Sequence, residues 1–167
     1  MFFFAHWSNT ETSYRDMERQ QIDCPRCEKE TEHTFRYHTQ KTKHYSAFSF
    51  GDGQKSVSII CHGCLLERGL DKEFEKEMID KFDCEIAVLV ADQFMDEGKP
   101  KKANKMLKKL LKKNPEYAPG LYSMTKCLMC QTKYDDAEIY LKNLEVNYPR
   151  DPTVRDLRKL MIIKQHS

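Results

Sequence analysis

Apolar and polar side chains alternate along the first part of the chain and switch to a spacing of three and four in the second, the change that separates strands from helices. Phe35 and Tyr37 alternate with polar neighbours, His44, Ser46, Phe48 and Phe50 share a face of the next run, and Val57, Ile59 and Cys61 share a face of a third. Between the last two runs, Gly51-Asp52-Gly53-Gln54 supplies the positive backbone angles of a tight hairpin turn. These runs predict three antiparallel strands. The apolar opening Met1-Phe2-Phe3-Phe4-Ala5-His6-Trp7 has no basic start and is too short for a secretory core or a membrane span, so it reads as a strand or packing arm.

From residue 72 onward the spacing is helical. Asp71 is placed to cap an acidic helix from Lys72 to Asp80, and no Gly/Ser stretch follows it. Further helices are expected near 84–97, 101–113, 119–131 and 135–147, with a last one from Thr153 to about Lys164 carrying Val154, Leu157, Leu160, Met161 and Ile163. Gly98 suits a helix end, Pro100 the first turn of the next helix, Asp135 an N-cap, and Asn114-Pro115 and Tyr148-Pro149 the breaks after two helices. The pattern also repeats at an offset of 34: Ala103 falls over Ala137, Leu107 over Leu141, Leu110 over Leu144, and Pro115 over Pro149. A small side chain lets two antiparallel helices cross closely, and Ala103 and Ala137 supply it.

The candidate chemistry is carried by cysteine. Of seven cysteines, four form the pairs Cys24-Pro25-Arg26-Cys27 and Cys61-His62-Gly63-Cys64, which points to bound metal in a reducing compartment rather than a disulfide scaffold. Two residues between paired cysteines let one turn present both sulfurs while its amides bond the thiolates, and two such turns complete a tetrahedral Zn²⁺ shell. The intervening 28–60 is long for such a site, but each doubling of a loop costs only about 0.6 kcal/mol of closure entropy. One structural Zn²⁺ on Cys24, Cys27, Cys61 and Cys64 is therefore expected, with His62 more often solvent-facing than ligating. Cys127 and Cys130 form a third CxxC inside a helix and read, with Cys84, as packing cysteines.

At these residues two resemblances appear. Residues 1–70 resemble small zinc-ribbon proteins that open with a phenylalanine-rich Met-Phe-Phe run and place an aromatic hairpin between CxxC pairs; that class usually has glycine after the second cysteine of each knuckle, where this chain has Glu28 and Leu65. The tail resembles tetratricopeptide repeats. Together they imply an α+β chain in two parts: an antiparallel β zinc ribbon over 1–70, a connecting helix over 71–83, two repeats over 84–117 and 118–151, and a capping helix over 152–167. In such repeats the first helices line the groove, which would present Glu85, Val88, Asp92, Met95 and Asp96 from one and Tyr122, Lys126 and Met129 from the next. Repeats of this kind that clamp acidic carboxyl tails use lysine and asparagine where Val88 and Asp92 stand, so a basic or amphipathic peptide is the expected occupant.

Charge is segregated along the tail. Ten acidic and three basic residues over 71–98 give −7, and eight lysines with Glu116 over 99–117 give +7. The expected arrangement is two outer faces that attract each other, the alternative a docking strip for phosphate or acidic protein. No glycine-rich phosphate loop, nucleophile–base set or open metal position stands in the sequence, so an enzyme is not expected. The leading functional expectation is a non-enzymatic adaptor holding a protein or peptide partner within a larger complex, cytoplasmic or else nuclear, with no membrane attachment. The alternative is a nucleic-acid- or ribosome-associated factor using ribbon aromatics and the lysine helix, with contacts at Arg36, Lys41, Lys43, Lys105 and Lys109; a redox-sensing chaperone is a third class.

Overall fold

In the computed structural model, which describes residues 8–44 and 53–165, four strands precede five helices. The Met1–Trp7 arm, the Ser46–Phe50 run and the Gly51-Asp52 corner lie outside the described residues. Strands β1 (Ser8–Cys24), β2 (Lys29–His44), β3 (Gln54–Cys61) and β4 (Glu67–Gly69) form one antiparallel sheet in sequential order. Of the three strands expected between the cysteine pairs, the first and third are β2 and β3 and the middle one lies outside the described residues; one long strand also precedes the first pair and a short one follows the second. The polar composition of Ser8–Cys24 concealed β1, because little of it is buried and no clean alternation marks it.

The register places Phe35 opposite Ile59, Tyr37 opposite Val57 and His33 opposite Cys61, so six buried side chains share one face. Helix α1 (Lys72–Asp96) lays its first turns on that face: Phe82 meets Phe35 and Tyr37 edge-on at centroid distances of 6.4 and 6.3 Å, and Phe74 meets Phe35 at 6.3 Å. Asp71 caps the helix as expected, its Oδ1 accepting the Phe74 amide at 3.0 Å.

The chain divides into units Met1–Phe82 and Asp83–Ser167. The connecting helix and first repeat helix read separately from the sequence are one continuous element, α1, because no Gly or Pro interrupts 72–96. The second unit holds the remainder of α1 with α2 (Pro100–Lys113), α3 (Ala118–Met129), α4 (Tyr134–Asn147) and α5 (Pro152–Gln165). Its core carries the 34-residue register: Ala103 and Ala137, Leu107 and Leu141, and Leu110 and Leu144 are all buried. Thr125, fully buried where the preceding repeat has Ala91, satisfies its hydroxyl by donating to the Leu121 carbonyl at 2.9 Å.

Helix ends repeat with the same period. After α1, the Gly98 amide donates to Met95 O and the Lys99 amide to Phe94 O; after α3, Thr132 donates to Met129 O and Lys133 to Leu128 O. Both are Schellman closures with a left-handed residue, φ 71° at Gly98 and 56° at Thr132. A β-branched residue is strained there by roughly 1–2 kcal/mol, partly offset by the greater chain entropy glycine would lose on folding. Thr132→Gly is therefore expected to stabilise the helical unit by up to about 1 kcal/mol, read as a raised denaturation midpoint. Asp135, expected as an N-cap, instead lies in the first turn of α4 with Asp136, and Lys133 occupies the cap with no side-chain bond. The two carboxylates there act on the helix dipole rather than on individual amides.

The last helix is fastened to α4 by Arg158, whose guanidinium donates to Glu145 at 2.8 and 2.7 Å and also to Glu138. Arg158 holds the Glu145 carboxyl below its ordinary range. A depressed folded-state pKa means this stabilisation is present above the unfolded carboxyl value and lost as pH falls through the folded one. Acid titration of thermal stability should show this loss below about pH 4, and Arg158→Met should flatten that part of the curve. Val154, Leu157 and Met161 of α5 are buried, whereas Leu160 and Ile163, from the same expected stripe, are exposed.

Candidate metal centre and partner groove

Each cysteine pair sits at a strand turn. Cys24–Cys27 closes the β1–β2 hairpin, with the Glu28 amide donating to Cys24 O at 2.9 Å; Cys61–Cys64 joins β3 to β4, with the Leu65 amide donating to Cys61 O at 2.9 Å. Glu28 and Leu65 take φ of 54° and 56°. The backbone thus keeps the left-handed conformation for which glycine is suited after a knuckle, and this chain imposes it on side-chain-bearing residues.

Folding of the sheet brings the two turns together, so that the four sulfurs all lie within 4.8 Å of one another. Cys24 and Cys64 are 3.6 Å apart and Cys27 and Cys61 3.7 Å. A tetrahedron with metal–sulfur bonds of about 2.3 Å has edges of about 3.8 Å, whereas a disulfide requires about 2.05 Å. The donor set is therefore compatible with a tetrahedral zinc site.

The surroundings stabilise thiolate at particular sulfurs. The Thr31 hydroxyl, 3.2 Å from Cys61 Sγ, outweighs burial and with the amides of Cys64 and Gly63 draws Cys61 down to about 5. Cys24 is lowered as well: burial opposes it, but the amides of Cys27 and Arg26 prevail. The Cys64 sulfur together with burial pushes Cys27 up to about 12. Neighbouring sulfurs therefore share protons, and four thiolates at this separation need a cation to coexist.

Gly63 is tightly enclosed. A Cβ there would stand 3.2 Å from Cys27 Sγ, 3.5 Å from Thr31 Cγ2 and 3.7 Å from Cys61 Sγ. Gly63→Ala is expected to lower metal affinity by roughly tenfold or more while leaving all four ligands in place, measured by competition with a chelating dye. His62 is exposed with both ring nitrogens occupied, Nε2 at 2.6 Å from Thr34 Oγ1 and Nδ1 at 3.3 Å from Glu32 Oε2. It lies outside the four-sulfur cluster.

In the helical unit, Val88, Asp92 and Tyr122 come together in a cleft of about 440 Å³ with Pro119, Leu144 and Val154. Asp92, which lines the cleft, accepts from Ser123 Oγ at 2.9 Å. Lys126 lies 5.7 Å from the Tyr122 ring centre. Glu85, Met95 and Asp96 do not line this cleft, and Met129 is 4% exposed in the core. The sequence reading missed Leu144, Tyr148, Asp151 and Thr153 as cleft residues, because they belong to the end of α4 and the entry to α5.

Among the residues grouped as nucleic-acid contacts, Arg36 is held by Asp16 at 2.7 Å and stacked 4.3 Å from the Tyr14 ring centre. Phe35 and Tyr37 are buried, so these ring faces are core and not a stacking platform. Lys105 and Lys109 are exposed on α2; the side chains of Lys41 and Lys43 lie outside the description. Cys127 is buried, its thiol donating to the Pro100 carbonyl at 3.2 Å, and burial pushes that thiol up; Cys130 is exposed.

The tetratricopeptide repeat family matches residues 94–160, wholly within the helical unit. The chain is thus an α+β protein in two parts, a four-stranded antiparallel sheet followed by a tetratricopeptide-like helical array. Repeats of this family generally mediate protein–protein interaction. No curated protein matches the chain. No described helix is long and apolar enough to cross a membrane.

Proposed function

We propose that this protein is a non-enzymatic adaptor that holds a basic or amphipathic peptide in the cleft between α1, α3 and the α4–α5 junction, with a zinc ribbon as a second docking module. The observation that supports the reading best is the cleft itself, where the apolar Val88, Tyr122 and Val154 stand beside Asp92. Apolar walls supply contact area, and a carboxylate selects positive charge.

In this reading one Zn²⁺ is held by Cys24, Cys27, Cys61 and Cys64. Four thiolates fill a tetrahedral shell, so the ion would brace the fold and leave no position for activated water. The ribbon then offers a rigid surface rather than chemistry.

Affinity capture by the full metal-loaded chain, with and without nuclease, identifies the partner; the same capture with Tyr122→Ala and with Asp92→Lys tests the cleft. A central aromatic anchor contributes about 2 kcal/mol, so Tyr122→Ala is expected to weaken a captured peptide about 30-fold. Unchanged affinity in both folded variants contradicts the groove assignment.

A further inference from the structure

Helix α2 carries seven lysines and neither an arginine nor a carboxylate. At about 100° per residue, Lys101, Lys105, Lys108 and Lys112 fall within an arc of about 60° and run some 16 Å along the axis. Lys102, Lys109 and Lys113 form a parallel row beside them, opposite the buried Ala103, Leu107, Leu110 and Leu111. Past the end of α3, Lys133 joins Lys101 and Lys108 around a cleft of about 520 Å³.

The expected attraction by carboxylates reaches only the edge of this face, where Glu97 pairs with Lys99 at 2.8 Å and is held below its ordinary range chiefly by Lys99, with Lys102 adding to it. Among the described residues, ion pairs engage Lys81, Lys99, Lys142 and Lys159, and none engages a lysine of α2. Eight like charges within one helix and its neighbouring turn repel each other and favour an outside polyanion.

We propose that the lysine face of α2, with Lys133 beside it, binds the phosphate backbone of a nucleic acid through charge alone, without reading bases. This goes beyond the partner groove and does not rest on it. Among the described residues no large apolar side chain of α2 is exposed, so the face lacks the buried anchors that hold protein partners, where lysine is depleted. Lysine is a hydrated point charge, unlike the forked guanidinium that pairs with carboxylates in two bonds. A duplex presents one negative charge per about 1.7 Å of its axis, enough to meet each amine of the row. Helix α2 carries no aromatic side chain, so nothing in that row gives single strands the stacking advantage they enjoy on aromatic platforms.

The test is fluorescence anisotropy of the full metal-loaded chain with a short fluorescein-labelled RNA duplex and with one of its strands. The duplex is expected to bind at least as tightly as the strand, with log affinity falling against log salt at a slope of about 3–4, from four contacts at roughly 0.9 each. Combined Lys101→Glu, Lys105→Glu, Lys108→Glu and Lys112→Glu should cost about 100-fold or more, and arginine at the same positions should retain binding. If the glutamate variant loses helicity by circular dichroism, glutamine at the four positions serves instead and should lower the slope. A flat salt response, unchanged affinity in the folded variants or a marked preference for the single strand overturns the proposal. Competition by poly-glutamate as effective as unlabelled duplex at equal anionic charge also overturns it, assigning the face to acidic polypeptides.

Discussion

A Cys61→Ser chain is expected to lose stoichiometric zinc and, with it, cooperative unfolding of the sheet unit. Cys61 closes β3, is buried, and receives the Thr31 hydroxyl and two backbone amides, so its loss removes both a ligand and the best-stabilised thiolate of the quartet. Structural zinc contributes about 10–16 kcal/mol of apparent binding free energy in small domains, as large as or larger than the 5–15 kcal/mol that keeps a whole domain folded. The sheet core, chiefly Phe35, Tyr37, Val57, Ile59 and Phe82, is too small to offset that loss. Metal analysis with near-ultraviolet circular dichroism checks this, and Cys127→Ser, which alters a buried thiol outside the cluster, should leave zinc content unchanged. Native dispersion and full cooperativity in metal-free Cys61→Ser would contradict the account.

The second large effect lies in the repeats. Leu141 is fully buried one period beyond Leu107, in the seam between α3 and α4. Leu141→Ala removes its transfer free energy and leaves a cavity, costing about 2–5 kcal/mol. For a unit of this size that lowers Tm by roughly 10–30 °C. Ile139, two residues away on the same helix, is 66% exposed, and Ile139→Ala should change stability by no more than about 0.5 kcal/mol. Similar melting temperatures for the two variants would mean that the register of α4 is wrong.

The elements that sequence made legible are those with a short-range physical signal. Periodicity located α2 to α5 to within two residues, and Gly98, Pro100, Asn114 and Tyr148 marked their ends, because a helix terminus is set by local backbone chemistry. The ligand spacing likewise singles out Cys24, Cys27, Cys61 and Cys64, and the folded chain clusters these four sulfurs.

What escaped notice depends on partners distant in sequence. Strand β1 alternates weakly because it lies mostly in solvent and is defined by its pairing with β2. Thr31 has no motif around it, and only the hairpin brings its hydroxyl to Cys61. Thr132 bears no mark of positive φ except its position one period after Gly98, a signal visible only once the repeat is applied to helix ends. The expected attraction between acidic and basic segments is seen only where they join, in the Lys99–Glu97 pair at 2.8 Å, because no carboxylate reaches an ion-pair distance from a lysine of α2 among the described residues.

X-ray absorption spectroscopy at the zinc edge of the purified full chain tests the central claim most directly. One zinc per chain surrounded by four sulfurs at about 2.3 Å is the expected result. A shell containing nitrogen or oxygen ligands, or a folded chain that retains no metal, would contradict it.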